Sequence, residues 1–143
     1  MKKVFLDTNI IIDILEHREP FFIQSANILE LGYRKKLNLY ATSLSFINGI
    51  YVCRKTIGKD EAIDKVKVLR QIIEISPMSA KEFDLALSSP FKDIEESLQY
   101  FSALSARCNV IITRNKNDFP TSKNLVVLTP QEFFDFYSDE LKW

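Results

Sequence analysis

Short apolar runs recur along this chain, and each gives way to a stretch with helical spacing. Val4-Phe5-Leu6 stops abruptly at Asp7-Thr8-Asn9 and is followed by Ile10-Ile11-Ile12-Asp13-Ile14-Leu15, as a buried strand, a tight turn and a short helix would be. Strands are predicted at about 3–6, 38–41, 110–113 and 125–128, with Ile73-Glu74-Ile75 as a minor fifth. Helical patterns fill the gaps between them. One follows Pro20 and stops near Gly32; another runs from the cap Thr42-Ser43 to about Lys55, and Asp60 can cap a third. Ser79 to Glu82 and Thr129 to Glu132 have capping-box spacing, the latter with Pro130 at the first helical position. A further helix is predicted from about Asp93 to Arg107. Strands alternating with helices predict an α/β fold, with a mainly parallel sheet of four to five strands and helices on both faces.

At 143 residues the chain fits one domain, residues 1–143, with no repeat or linker. No apolar run approaches a membrane span, and Asp7 comes too early for a signal peptide. Two cysteines, Cys53 and Cys108, are too few for a disulfide framework, so a cytoplasmic location is expected. Nineteen basic and nineteen acidic residues cancel, which argues against a non-specific coat for duplex DNA. The halves differ: residues 1–70 carry 12 Lys/Arg against 8 Asp/Glu, and residues 71–143 carry 7 against 11. Basic groups at Arg34-Lys35-Lys36, Arg54-Lys55 and Lys65/Lys67/Arg70 are either solvated helix faces or a flank that guides a polyanion.

In parallel sheets ligands gather beyond the carboxyl ends of strands. That rule selects Asp7-Thr8-Asn9 after the first strand and Arg114 to Asp118 after the fourth. Asp7 can serve as an ordinary helix N-cap, and carboxylates at Asp93, Glu95 and Glu96 suit the start of a helix. Asp93 and Glu96 share a helix face, from which Glu95 points elsewhere. Asn115 and Asp118 offer oxygen from a polar turn. Acids distant in sequence thus map to one rim of the sheet, where mutual repulsion calls for a cation. Oxygen donors without a Cys–His cluster favour Mg²⁺ or Mn²⁺, ions that activate water against a phosphodiester.

Other chemistries find less support. His17 is the only histidine and sits in a polar turn, which argues against Ser–His and Cys–His triads. No Gly-rich phosphate loop is present, and Asn9 stands where an aspartate-based phosphatase needs its second Asp. The cysteines lie on apolar stretches and read as core. Phe133, Phe134, Phe136 and Trp143 read as core and edge packing, with partner surface as the alternative.

The opening Val4 to Asp13, the stretch Asp93 to Ala103, and Ile111-Ile112-Thr113-Arg114-Asn115 with Asp118-Phe119 together resemble the motifs of PIN-domain proteins. The similarity is greatest to short bacterial toxins of the VapC type. It implies a PIN-like three-layer sandwich, a Mg²⁺- or Mn²⁺-dependent endoribonuclease, a homodimer and a cognate antitoxin. Position by position, Asp7, Glu96 and Asp118 match catalytic acids and metal ligands, with Asp93 able to supply or support the second. Thr8, Asn9, Arg114 and Asn115 would orient ligands or phosphate. Asn48 stands where the family usually carries Glu, which removes one negative ligand. The resemblance therefore implies cleavage of single-stranded or looped RNA, and Asn48 keeps open an impaired PIN fold that binds RNA or protein. A plain α/β scaffold is the third reading.

Overall fold

The computed structural model describes residues 1–120 and 122–141. Five strands form one sheet: β1 (Lys2–Leu6), β2 (Leu37–Ala41), β3 (Ile73–Ile75), β4 (Val110–Ile112) and β5 (Val126–Leu128). Their order is β3-β2-β1-β4-β5, and every neighbouring pair is parallel. Seven helices connect them among the described residues: α1 (Thr8–Glu16), α2 (Phe22–Tyr33), α3 (Ser43–Ile57), α4 (Lys59–Leu69), α5 (Ala80–Leu87), α6 (Ile94–Ser105) and α7 (Pro130–Leu141). A 3₁₀ turn, Lys116–Asp118, lies between β4 and β5. All five predicted strands form, and none of the described helices is long and apolar enough to cross a membrane.

The pleat of β1 divides the core. Val4 and Leu6 face one side, where they join Ile10, Ile11, Ile28, Phe46, Ala62 and Phe133 from α1, α2, α3, α4 and α7. Phe5 faces the other, with Ile111, Val127 and Ala103 of α6. Helices therefore cover both faces, and the sheet is buried as a parallel sheet must be. From β1 the chain moves outward to β2 and β3, then crosses back to β4 on the far side of β1. The crevice between the carboxyl ends of β1 and β4 is thus the topological switch point. The Asp7 amide donates to the Ile112 carbonyl at 3.0 Å, so the two strand ends are tied where the crevice opens.

Most helix ends follow their local signals. The Ser79 amide donates to Glu82 at 2.8 Å, and Thr129 and Glu132 exchange bonds at 3.0 and 3.2 Å. Asp60 does not cap α4, contrary to expectation. Gly58 alone separates α3 from α4 and takes φ +85°, a left-handed value that favours glycine, so α4 starts one residue before Asp60. Asp60 instead lies in the first turn, where its charge suits the helix dipole. Gly32 is needed for space: a Cβ there would strike Leu39 Cδ1 and lie 3.0 Å from Ile72 Cγ2.

His17 is exposed and Cys53 and Cys108 are buried, as the sequence suggested. The carboxy-terminal aromatics divide. Phe133 is buried, Phe136 is exposed, and Trp143 lies outside the described residues. Arg34-Lys35-Lys36 directly precedes the amino end of β2, the end opposite the crevice, so that group does not flank it.

Candidate active site

The rule that buried polar groups must be bonded explains how Asp7 is held. It is 5% exposed and ends the central strand. Its Oδ1 accepts from the Thr8 amide at 2.6 Å and from Gln99 Nε2 at 2.8 Å. Its Oδ2 accepts from Thr113 Oγ1 at 2.7 Å. An ordinary cap would serve the amides one turn into α1; besides the Thr8 amide, the partners of Asp7 come from α6 and from the end of β4. Burial still pushes the Asp7 carboxyl above its usual range, and the Asp118 charge adds to the effect.

Around Asp7 lies a cleft of about 230 Å³ lined by Thr8, Asn9, Ile12, Arg18, Asp93, Glu95, Glu96, Gln99 and Asn115. Glu96 is pushed up to about 7, first by burial and then by the charges of Asp118 and Asp93. The charges of Asp118 and Asp7 both act on Glu96, and that of Asp118 acts on Asp7, so the three carboxylates lie within electrostatic reach of one another. Asp118 occupies the 3₁₀ turn, whose start is fixed by the Asn115 amide donating to Thr113 Oγ1 at 3.0 Å. Asn115 presents an exposed side chain at the rim. Asp93 lines the cleft but works as the α6 N-cap, accepting from the amides of Glu95 and Glu96 at 2.8 and 3.3 Å.

Glu95 does not point elsewhere. Its Oε1 accepts from Asn48 Nδ2 at 2.8 Å and lies 3.3 Å from Thr8 Oγ1. Burial raises its carboxyl, outweighing those bonds. Successive residues of a helix are turned by about 100°. The cleft is wide enough for Glu95 to face α3 while Glu96 faces the 3₁₀ turn. Thr8 is therefore a hub, with Oγ1 within reach of Ser45 Oγ (2.7 Å), Glu95 and Gln99.

Gln99 and Thr113 escaped the sequence reading. Gln99 is buried, with its amide on Asp7 and its Oε1 accepting from the Thr8 amide at 3.0 Å. A polar residue one turn after an acidic pair, flanked by Leu98 and Ala103 on the buried face of α6, was the available signal. Arg114 lies apart from the acids. Its guanidinium grips Asp13 at 2.7 and 3.2 Å and stacks 4.1 Å from the Phe21 ring centroid. The cation on the cleft wall is Arg18, itself paired with Glu16 at 2.8 Å.

No three acidic, histidine or cysteine side chains among the described residues form a ready-made metal cage. The fit to a hard cation rests on the donor set. Every polar donor facing the cleft from α1 and α6 offers oxygen. Asn9 Oδ1 is buried without a hydrogen-bond partner among the described residues, while its Nδ2 reaches Thr113 Oγ1 at 3.5 Å. An orphaned carbonyl oxygen among carboxylates suits Mg²⁺ or Mn²⁺ better than zinc.

Residues 3–117 match the PIN domain family. The chain is 31% identical over 137 residues to Ribonuclease VapC1 of Aquifex aeolicus (strain VF5), covering 92% of this chain and 93% of that protein. Its fold is similar to chains in two solved structures. One is VapBC2 of Rickettsia felis bound to a fragment of promoter DNA, with TM-score 0.61, 19% identity and coverage of 87% and 96%. The other is a toxin–antitoxin complex from Klebsiella pneumoniae, with TM-score 0.63, 18% identity and coverage of 89% and 97%. Sequence and fold agree: this chain belongs to the PIN-domain family and resembles its short VapC-type ribonucleases.

Proposed function

We propose that residues 1–143 form a single PIN domain acting as a divalent-metal-dependent endoribonuclease, the toxin of a toxin–antitoxin pair. The observation that carries this reading is Asp7, buried at the switch point in an oxygen-lined cleft that Glu96 also lines, with the charge of Asp118 acting on both. Asp7, Glu96 and Asp118 would hold Mg²⁺ or Mn²⁺, with Asn9 Oδ1 and Asn115 in support and Asp93 adding charge. When bound, such an ion activates water and offsets charge on the phosphate oxygens. Gln99 and Thr113 fix both oxygens of Asp7, and Thr8 fixes the neighbouring side chains. Glu96, whose carboxyl is pushed up to about 7 by burial and by the neighbouring charges, would have to be ionised to face a cation. Arg18 is placed to meet a phosphate at the rim. Arg114 orients the loop carrying Asn115 and Asp118 through Asp13 rather than touching substrate.

The substrate is single-stranded or looped RNA, since the narrow A-form groove gives side chains little to read. The free, buried Cys53 and Cys108 suit the cytoplasm. A small protein antitoxin and a second copy of the chain are the expected partners, and exposed Ile23, Phe83, Leu87 and Phe136 supply apolar surface for them. The second reading, an impaired PIN fold that binds without cutting, is favoured by Asn48 alone. Purified protein with Mn²⁺ should cleave single-stranded RNA, and Asp7→Asn should lower the rate by more than the roughly 10–100-fold typical of outer-shell changes. Equal rates in both proteins would favour the binding module.

A further inference from the structure

The geometry points to Glu95 as a further cation-facing carboxylate of this cleft, positioned by Asn48 across the gap between α3 and α6. Three observations carry it. Asn48 Nδ2 donates to Glu95 Oε1 at 2.8 Å, a bond between residues 47 apart in sequence. Thr8 Oγ1, held by its neighbours in the cleft, lies 3.3 Å from the same oxygen. Both contacts fall on Oε1, and Oε2 has no hydrogen bond among the described residues. The side chain is thus fixed by one oxygen and presents the other within a cleft it lines together with Asp7 and Glu96.

Asn48 has its own logic in this arrangement. An amide can donate to a carboxylate, whereas a second carboxylate at 2.8 Å would repel it. The negative charge on this wall is therefore supplied from α6 and held in place from α3. Glu95 is the charged donor and Asn48 a positioning residue with no cation contact of its own. Because the two side chains touch, exchanging which helix bears the carboxylate should move that charge by only a few ångströms.

This inference rests on the cation reading proposed above, and Mn²⁺ titration of the full chain by calorimetry separates the two. Wild type should bind Mn²⁺, and Asp7→Asn should bind it far more weakly. Glu95→Gln keeps an oxygen for Asn48 but removes the charge, and should weaken binding by about 10–100-fold. Asn48→Ala should lose part of that affinity, and Asn48→Ala combined with Glu95→Gln should be no worse than Glu95→Gln alone. The exchange variant Asn48→Glu/Glu95→Gln should recover most of the wild-type affinity, a result that a general folding defect could not give. Metal-free Glu95→Gln should also melt at or above the wild-type temperature, because a like charge has left the acidic cleft. Mn²⁺ binding that is lost in Asp7→Asn but intact in Glu95→Gln overturns this inference alone. A wild type that takes up no Mn²⁺ overturns the cation reading and this inference with it.

Discussion

Replacing Arg114 with methionine should leave the Asp13 carboxylate buried without its counter-ion. Asp13 is fully buried, and both its oxygens are bonded by Arg114, at 2.7 and 3.2 Å. Breaking a buried pair by removing one partner costs roughly 3–5 kcal/mol. The Arg114 side chain keeps 25% of its exposure, so some solvent screening remains and the lower end, about 3 kcal/mol, is appropriate. Loss of the stacking on Phe21 adds about 0.5–1 kcal/mol. Urea denaturation should show a loss near 3–4 kcal/mol with an unchanged m-value, and melting should fall by roughly 6–16 °C. Asp13→Asn combined with Arg114→Met should be less destabilising than Arg114→Met alone, because the uncompensated charge is then gone. A loss under about 1 kcal/mol in Arg114→Met, or a double variant worse than the single, would refute the argument.

Three further outcomes follow from named contacts. Glu96 titrates near 7 when folded against a reference of 4.5, so the unfolded chain ionises first as pH rises. Metal-free stability should therefore decline from about pH 4.5 through 7, while Mn²⁺ affinity should weaken by up to about tenfold per unit below pH 7; melting and calorimetry across pH 5–8 check both, and flat profiles would contradict them. Gln99→Leu removes a bond to the Asp7 carboxylate and leaves the Thr8 amide with Asp7 as its one acceptor, so Mn²⁺ affinity should drop about 10–100-fold and stability about 1–3 kcal/mol; a silent variant would count against Asp7 being held from α6. Gly32→Ala should gain about 1 kcal/mol from helix propensity but lose about 1–3 kcal/mol to the clash with Leu39 and Ile72; stabilisation on urea denaturation would mean that the α2–sheet contact is looser than it looks.

Much of this architecture was legible because its strands are short apolar runs with sharp polar ends. Val4-Phe5-Leu6-Asp7 announces both a buried strand and the place where the chain meets solvent. Capping chemistry placed α5 and α7 because Ser79, Glu82, Thr129 and Glu132 bond within one turn. The α3–α4 junction was not legible in this way, because a left-handed Gly58 replaced the side-chain cap expected from Asp60. At the site, convergence of Asp7, Glu96 and Asp118 could be inferred from the carboxyl-end rule. The direction of Glu95 could not, since helical spacing gives angles about one axis and says nothing of how widely a cleft opens. Arg114 and Asp13 are 101 residues apart, and a buried pair at that separation leaves no local periodic trace. Gln99 and Thr113 bond to Asp7 for the same tertiary reason.

The central claim is that oxygen donors from the end of β1, α6 and the 3₁₀ turn gather a divalent ion. Anomalous diffraction from crystals soaked in Mn²⁺ tests it most directly. The account predicts a peak in the cleft within about 2.5 Å of carboxylate oxygens from Asp7 and at least one of Glu96 and Asp118. Ordered crystals with no peak there, or with Mn²⁺ held only elsewhere on the chain, would contradict it.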